Sequence, residues 1–131
     1  MSNGLCTHCS NPATIGNYCE RHWFGARASE TARGTSGDAI RKLLINQNYT
    51  CPYSGDMLIP GKNASLDHKI PKSRGGTHTV ANLQWITLVV NRAKSDLSDA
   101  EFIEMCRKVV SKRDTLNFMT KDSNDTAPST K

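Results

Sequence analysis

Two stretches of the chain combine residue types that do chemistry. In the first, ASLDHKIPKSRGGTHTVANLQWITLVVNRAKS at positions 64–95, Asp67 and His68 are adjacent, and Asn82, Asn91 and Lys94 follow. An aspartate and an asparagine supply two hard oxygen ligands, which suit a Mg2+ ion that keeps several waters and meets a substrate phosphate. A neighbouring imidazole can take a proton from a water on the far side of that phosphate. A lysine can balance the charge that grows on the phosphoryl oxygens. Together these are the parts of a one-metal phosphodiesterase. An isolated Asp-His pair commonly does no more than close a turn, and a lone Asn or Lys on a helix means little. The joint spacing is what carries weight.

The second stretch is N-terminal. Cys6-x2-Cys9 and Cys19-x2-His22 are separated by nine residues. Three thiolates and an imidazole at that spacing make a closed tetrahedral Zn2+ site of the structural kind. His8, inside the first pair, is the alternative fourth ligand. Residues 1–24 otherwise show neither a helical nor a strand period and bury too little apolar surface to hold together without such a staple. Five cysteines, an odd number, and no apolar leader argue for a reducing compartment and against a disulfide framework.

The elements that must position these residues are short. Residues 25–35, GARASETARGT, read as a linker. A helix is predicted over about 36–47, with Thr35 as N-cap, Asp38 three residues on, and Ile40, Leu43 and Leu44 as its apolar stripe. Turn signals at Pro52, Ser54-Gly55 and Pro60-Gly61 precede a strand near 64–68. A loop over 69–81, a second strand in NLQWI and a helix over about 88–95 complete the unit. Ser98 and Glu101 form a capping box for a last helix, whose Phe102, Met105, Cys106, Val109 and Val110 fall on one face. Beyond Leu116 the composition turns to Ser, Thr, Asp, Asn and Lys, the signature of a disordered tail. Neighbours on a regular strand point to opposite faces. For Asp67 and His68 to share one cleft, the chain is therefore predicted to bend at or just past Asp67.

The segment SLDHKIPKSRGGTHTVANLQWITLVVNRAKSD resembles the ββα-metal motif of the HNH endonuclease family. That motif has Asp-His, then Asn fourteen residues after the His, then His or Asn nine further on; His68, Asn82 and Asn91 stand at those intervals. Pro71, Ser73, Leu83 and Lys94 agree as well, and CPYSG upstream and DLSDAEF downstream are similar to segments found around the motif, so the resemblance covers about residues 51–105. It implies that His68 is the general base, that Asp67 and Asn91 hold a Mg2+ or Mn2+ ion, and that Asn82 ties the loop so that His68 stays aimed. Lys94 completes the catalytic set. The last position of the motif is Asn91 rather than His, as in members that work with Mg2+, which argues against a tight zinc site there. Many relatives staple the motif with two Cys-x-x-Cys pairs, whereas only Cys51 is nearby. Packing from Trp85, Leu88 and flanking helices is expected to replace that staple, with Cys51 and Cys106 as small core residues. The N-terminal Cys/His segment is similar to the zinc modules at the head of phage-borne HNH enzymes.

The expected organisation is therefore α+β: a zinc-binding module at 1–24, a linker at 25–35, a ββα-metal core with flanking helices at 36–116 and a tail at 117–131. The net charge is +5, and the whole surplus lies in positions 1–97, which hold eleven basic and six acidic residues. Such an excess favours a polyanionic partner. The expected partner is double-stranded DNA. Arg27 and Arg33 are the candidates for groove contacts, Lys69, Lys72, Arg74 and His78 for phosphate contacts beside the cut, and Arg92 for a further DNA contact. The expected activity is a site-specific, homing-type endonuclease of a phage or mobile element, acting as a monomer or a DNA-assembled homodimer. A restriction-type nuclease, or a nucleic-acid-binding module with a non-functional centre, is the alternative. No targeting signal or membrane span is legible, so the expected location is the cytoplasm of a bacterial or phage-infected cell.

Overall fold

The computed structural model describes residues 4–124, with side chains described through Asp114. The fold is α+β. Its elements are α1 (Glu20–Thr31), α2 (Gly37–Asn46), β1 (Ala64–His68), β2 (Leu83–Thr87), α3 (Leu88–Lys94) and α4 (Asp99–Asn124). The chain divides into two compact units, residues 1–96 and 97–131.

In the first unit β1 and β2 form an antiparallel hairpin with Leu66 opposite Trp85 and Asp67 opposite Gln84. Trp85 is fully buried and is the centre of the core. Trp23 of α1 stacks on it at 5.8 Å, and Phe24 meets it edge-on at the same distance. The indole Nε1–H of Trp85 donates to the Ile40 carbonyl of α2 at 2.8 Å, so a large apolar side chain is buried without an orphaned donor. Gln47 covers the outer edge of β2: its Oε1 accepts from Trp85 N at 2.7 Å and its Nε2 donates to Trp85 O at 2.8 Å. A side-chain amide thus does what a third strand would do for an open sheet edge.

Several expectations change. Residues 25–35 are not a linker: α1 runs through them to Thr31. Its buried face is written in Trp23, Phe24 and the small Ala28 and Ala32, which are good helix formers without a leucine stripe to announce them. Gly25 and Gly37 mark where α1 meets the start of α2; a Cβ on Gly37 would lie 2.7 Å from the Gly25 nitrogen. The N-cap of α2 is Ser36, whose hydroxyl accepts from Ala39 N at 3.1 Å, and not Thr35. The hydroxyl of Thr35 instead donates to the His78 carbonyl. Leu88 is exposed, and Val90 packs against the core in its place. Cys51 is buried as expected, whereas Cys106 is exposed.

In the second unit the capping box forms reciprocally. Ser98 N donates to Glu101 Oε1 at 3.0 Å and Glu101 N to Ser98 Oγ at 3.2 Å. From there α4 runs to Asn124, into the segment expected to be a tail; residues 125–131 of that tail lie outside the described residues. No helix among the described residues is long and apolar enough to cross a membrane.

Candidate functional site

Two clusters of functional side chains form, both in the first unit. Cys6, Cys9, Cys19 and His22 bring their ligand atoms within 4.8 Å of one another. A zinc ion bound at about 2.3 Å from sulfur and 2.0 Å from nitrogen needs tetrahedral S–S edges of about 3.8 Å and S–N edges of about 3.5 Å. Cys9 and Cys19 sulfurs are 3.8 Å apart, and His22 Nδ1 lies 3.5 Å from Cys6 Sγ and 3.3 Å from Cys19 Sγ. The donor set fits zinc. His8 is not a member: its Nδ1 contacts Thr7 Oγ1 at 3.0 Å, and its ring packs beside those of Tyr18 and His22.

The chain presents this cluster through two backbone devices. In the first knuckle, His8 N donates to Cys6 Sγ and Asn11 N to Cys9 Sγ, each at 3.4 Å. In the second, α1 begins immediately after Cys19, so one helical turn carries His22 back over the sulfur of Cys19. The electrostatics agree with a cation site. Burial works to raise the Cys6 thiol, but N–H groups from Cys19 and His8 and the neighbouring thiols outweigh it and hold it at about 6. The Asn11 N–H works to lower Cys9, but burial and the adjoining Cys19 and Cys6 sulfurs push it up. Sulfurs crowded this closely call for a positive ion among them.

The second cluster lies on the hairpin and α3. Thr87 caps α3, its hydroxyl accepting from Val90 N at 3.2 Å, so the helix starts where β2 ends and folds back on the sheet. Asn91 Nδ2 donates to Ser65 Oγ at 2.7 Å. One turn later Lys94 Nζ lies 3.2 Å from Asp67 Oδ2, 3.4 Å from Asp67 Oδ1 and 3.0 Å from the His68 carbonyl. Ser65 and Asp67 are two apart on β1 and share a face, which is the face α3 covers. The Asp67 carboxylate also accepts from Gln84 Nε2 at 3.0 Å, and that amide reaches the Tyr53 hydroxyl at 3.0 Å.

Lys94 has no exposed surface, and Asp67 is 7 % exposed. The ammonium is held by Asp67 and a backbone carbonyl, buried beneath the surface of the hairpin. The bend expected at or just past Asp67 is absent. Pairing stays regular through Asp67–Gln84 and His68–Leu83 and continues as Lys69 N to Asn82 O at 2.7 Å. The dipeptide is therefore straight, and the chain turns only after it. The Asp67 carboxylate faces α3, whereas His68 Nε2 meets His78 Nδ1 at 2.8 Å. The two still feel each other: burial and then the charge of His78 lower the His68 pKa, Asp67 opposes them, and Lys72 and Lys94 add to the lowering.

Asn82 closes the 69–81 loop with three hydrogen bonds. Its Oδ1 accepts from Ile70 N at 3.0 Å, and its Nδ2 donates to Ile70 O at 3.1 Å and Thr77 O at 2.9 Å. Gly76 fits inside this tie, where a Cβ would run into the Ile70 carbonyl. Of the candidate DNA contacts, Lys72, Arg74, Arg92 and Arg33 are exposed and Lys69 is half-buried. Arg27 is otherwise engaged: its guanidinium pairs with Glu30 at 2.9 Å and lies 5.5 Å from the Trp23 ring centroid. His78 faces His68 and not outward. Sequence reasoning passed over Gln84, Ser65 and Tyr53. The signal for the first two was available, since Gln84 is the polar interruption of an apolar strand and Ser65 stands two residues before Asp67. No family model matches the chain, and no curated protein matches it either.

Proposed function

We propose that the chain is a metal-dependent endonuclease of the HNH type that hydrolyses phosphodiester bonds of duplex DNA, carried beside a zinc-stapled N-terminal segment. The observation that supports this reading most is the pair of hydrogen bonds from α3 to β1. Asn91 to Ser65 and Lys94 to Asp67 put an amide and a carboxylate on one face of a strand–loop–strand–helix unit, with His68 at the strand's end. The oxygen set suits a hydrated hard cation. Asn91 uses Nδ2 for Ser65, and Asp67 Oδ1 has only the long 3.4 Å contact to Lys94. Asp67 and Asn91 would hold the Mg2+ or Mn2+ ion, which when bound neutralises phosphate charge and stabilises the leaving oxygen.

His68 is the proposed base. Burial and the surrounding cationic and imidazole groups lower its pKa, so it is neutral and able to accept a proton at ordinary pH. The basic surplus of positions 1–97, with Lys72, Arg74, Arg92 and Arg33 exposed, supports a DNA partner. A homing-type enzyme is the preferred form. A single centre cuts one strand per visit, so a monomer nicks and a DNA-assembled homodimer cuts both strands.

Two observations favour a second reading, a nucleic-acid-binding module without nuclease activity. Lys94 already balances the charge of Asp67, and β1 stays straight through the Asp-His pair. One experiment separates the two. Zinc-loaded protein is incubated with supercoiled plasmid and a series of Mg2+ concentrations. The endonuclease reading expects open-circular product, with His68→Ala about 10²–10⁴ slower and DNA affinity kept. Plasmid that stays supercoiled throughout, while a gel shift shows binding, selects the binding module.

A further inference from the structure

We propose that His78 is a positioning residue for His68: its ring Nδ1 accepts the Nε2–H of His68 and so leaves His68 Nδ1 as the bare nitrogen. The role as a base and the choice of tautomer rest on the endonuclease reading; the hydrogen bond between the two rings does not. His68 is the last residue of β1, and its Nε2 lies 2.8 Å from His78 Nδ1. The rings cross at 67° with centroids 5.0 Å apart, which is an in-plane nitrogen contact and not a stack.

The second imidazole is held there from both sides. Thr35 Oγ1 donates to the carbonyl of His78 itself, and Asn82 Nδ2 donates to the carbonyl of Thr77 just before it. Thr35 thereby ties the segment between α1 and α2 to the loop that ends beside His68. A side chain whose backbone is anchored at two consecutive carbonyls, and whose ring points at another histidine, is not placed to grip a phosphate. Lys72 and Arg74, exposed on the same loop, are.

The choice of tautomer follows from counting. A neutral imidazole has one donor and one acceptor nitrogen, and the bond made by one nitrogen decides the state of the other. If His78 Nδ1–H donated, His68 would carry its proton on Nδ1 and spend its only lone pair on His78. No acceptor would remain for a water. In the opposite arrangement His68 Nδ1 keeps its lone pair, and a proton gained there leaves the Nε2–H bond to His78 intact. The second arrangement is the one that permits base chemistry.

The test uses the full-length, zinc-loaded protein without DNA, by long-range 15N–1H NMR of the histidine rings. Wild type is expected to show His68 with a protonated Nε2 and a bare Nδ1. His78→Ala, which keeps the carbonyl that Thr35 uses, is expected to mix the His68 tautomers, and His78→Gln, with an acceptor oxygen, to restore the wild-type pattern in part. Backbone amide spectra of each variant establish that the fold is kept. In plasmid cleavage His78→Ala should lower kcat about ten-fold, less than loss of the base itself, with DNA affinity and its salt dependence unchanged. A His68 ring protonated on Nδ1 in wild type, or a ring spectrum that His78→Ala leaves untouched, overturns the proposal whether or not the protein cuts DNA. So does a loss of affinity at unchanged kcat. A wild-type protein that fails to cut but shows the expected tautomer overturns only the endonuclease reading.

Discussion

In the Cys6–His22 cluster the protein supplies all four ligand atoms and turns them to one point. On the hairpin, by contrast, the Asp67 carboxylate is matched with Lys94 and Gln84, and the Asn91 amide with Ser65. The first is a closed site that has no other use for its donors. The second has satisfied its polar groups internally, as burial demands. The difference teaches where sequence spacing is sufficient. A closed site is specified by its ligands alone, whereas each polar group on the hairpin also depends on a partner that another element brings to it.

The largest effect expected from this contrast is that of zinc. Binding to structural sites of this kind is worth about 10–16 kcal/mol in apparent free energy. His22 adjoins Trp23 and Phe24 on α1, and both pack against Trp85 in the core, the first stacked and the second edge-on. Loss of the ion should therefore spread beyond residues 1–24 into the whole first unit. Elemental analysis is expected to find one zinc per chain, and Cys19→Ser to abolish the near-ultraviolet dichroism of the tryptophan stack. A folded, zinc-free protein with that signal intact would show that the cluster is not a staple.

Next in size is the Asp67–Lys94 pair. Breaking a buried ion pair by removing one partner costs about 3–5 kcal/mol, because the other charge is left uncompensated. Lys94→Met should cost that much in urea unfolding, and the double variant Lys94→Met, Asp67→Asn should recover most of it. If the single variant loses less than about 1 kcal/mol, the ammonium is not structural. That outcome would favour the phosphoryl role expected for Lys94.

A smaller loss is expected at Asn82. Three hydrogen bonds at about 0.5–1.5 kcal/mol net each set the scale for Asn82→Ala. The effect should be local: faster hydrogen exchange at the Ile70 amide, which Asn82 binds directly, and at Gly76, whose N–H meets the Pro71 carbonyl at 3.0 Å. Unchanged exchange at both amides would mean that the loop is closed by its backbone alone.

These sites also mark how far the sequence could be read. The β1, β2 and α3 spans were legible because each has a period and a stop: alternation around Leu66, the run LQWIT, and Thr87 as a cap. The Cys/His cluster was legible from spacing, and geometry decides for His22 over His8. Helix α1 was not, because its buried face is two aromatics followed only by alanines, and Gly25 and Ala26 beside them blunt the contrast that a leucine stripe would give. The partners of the polar site were not legible either. Nothing local tells that Lys94 is buried, that Gln84 meets Asp67, or that His78, ten residues beyond His68, turns back to it. Such pairings are set by how α3 and the loop fall on the hairpin, which is tertiary information.

The smallest expected effect concerns DNA affinity, and it sets Lys72 against Arg27. Each phosphate contact adds roughly one to the slope of affinity against salt and carries no sequence preference. Lys72 is exposed on the loop beside His68, so Lys72→Ala should weaken binding about equally on all sequences and lower that slope by about one. Arg27 was first expected to read a groove, but its guanidinium pairs with Glu30 and lies over Trp23. An exposed pair contributes about 0–1 kcal/mol, and a cation–π contact about 0.5–1 kcal/mol at a partly exposed site. Arg27→Ala is therefore expected to lower stability slightly and leave the salt slope and site preference unchanged, whereas Arg33→Ala, at an exposed position beyond α1, is expected to relax preference among sites. Binding measured on a random-sequence library at two salt concentrations decides between them. A fall in slope or a relaxed preference in Arg27→Ala, matched by none in Lys72→Ala, would mean that α1 releases Arg27 from Trp23 when DNA arrives.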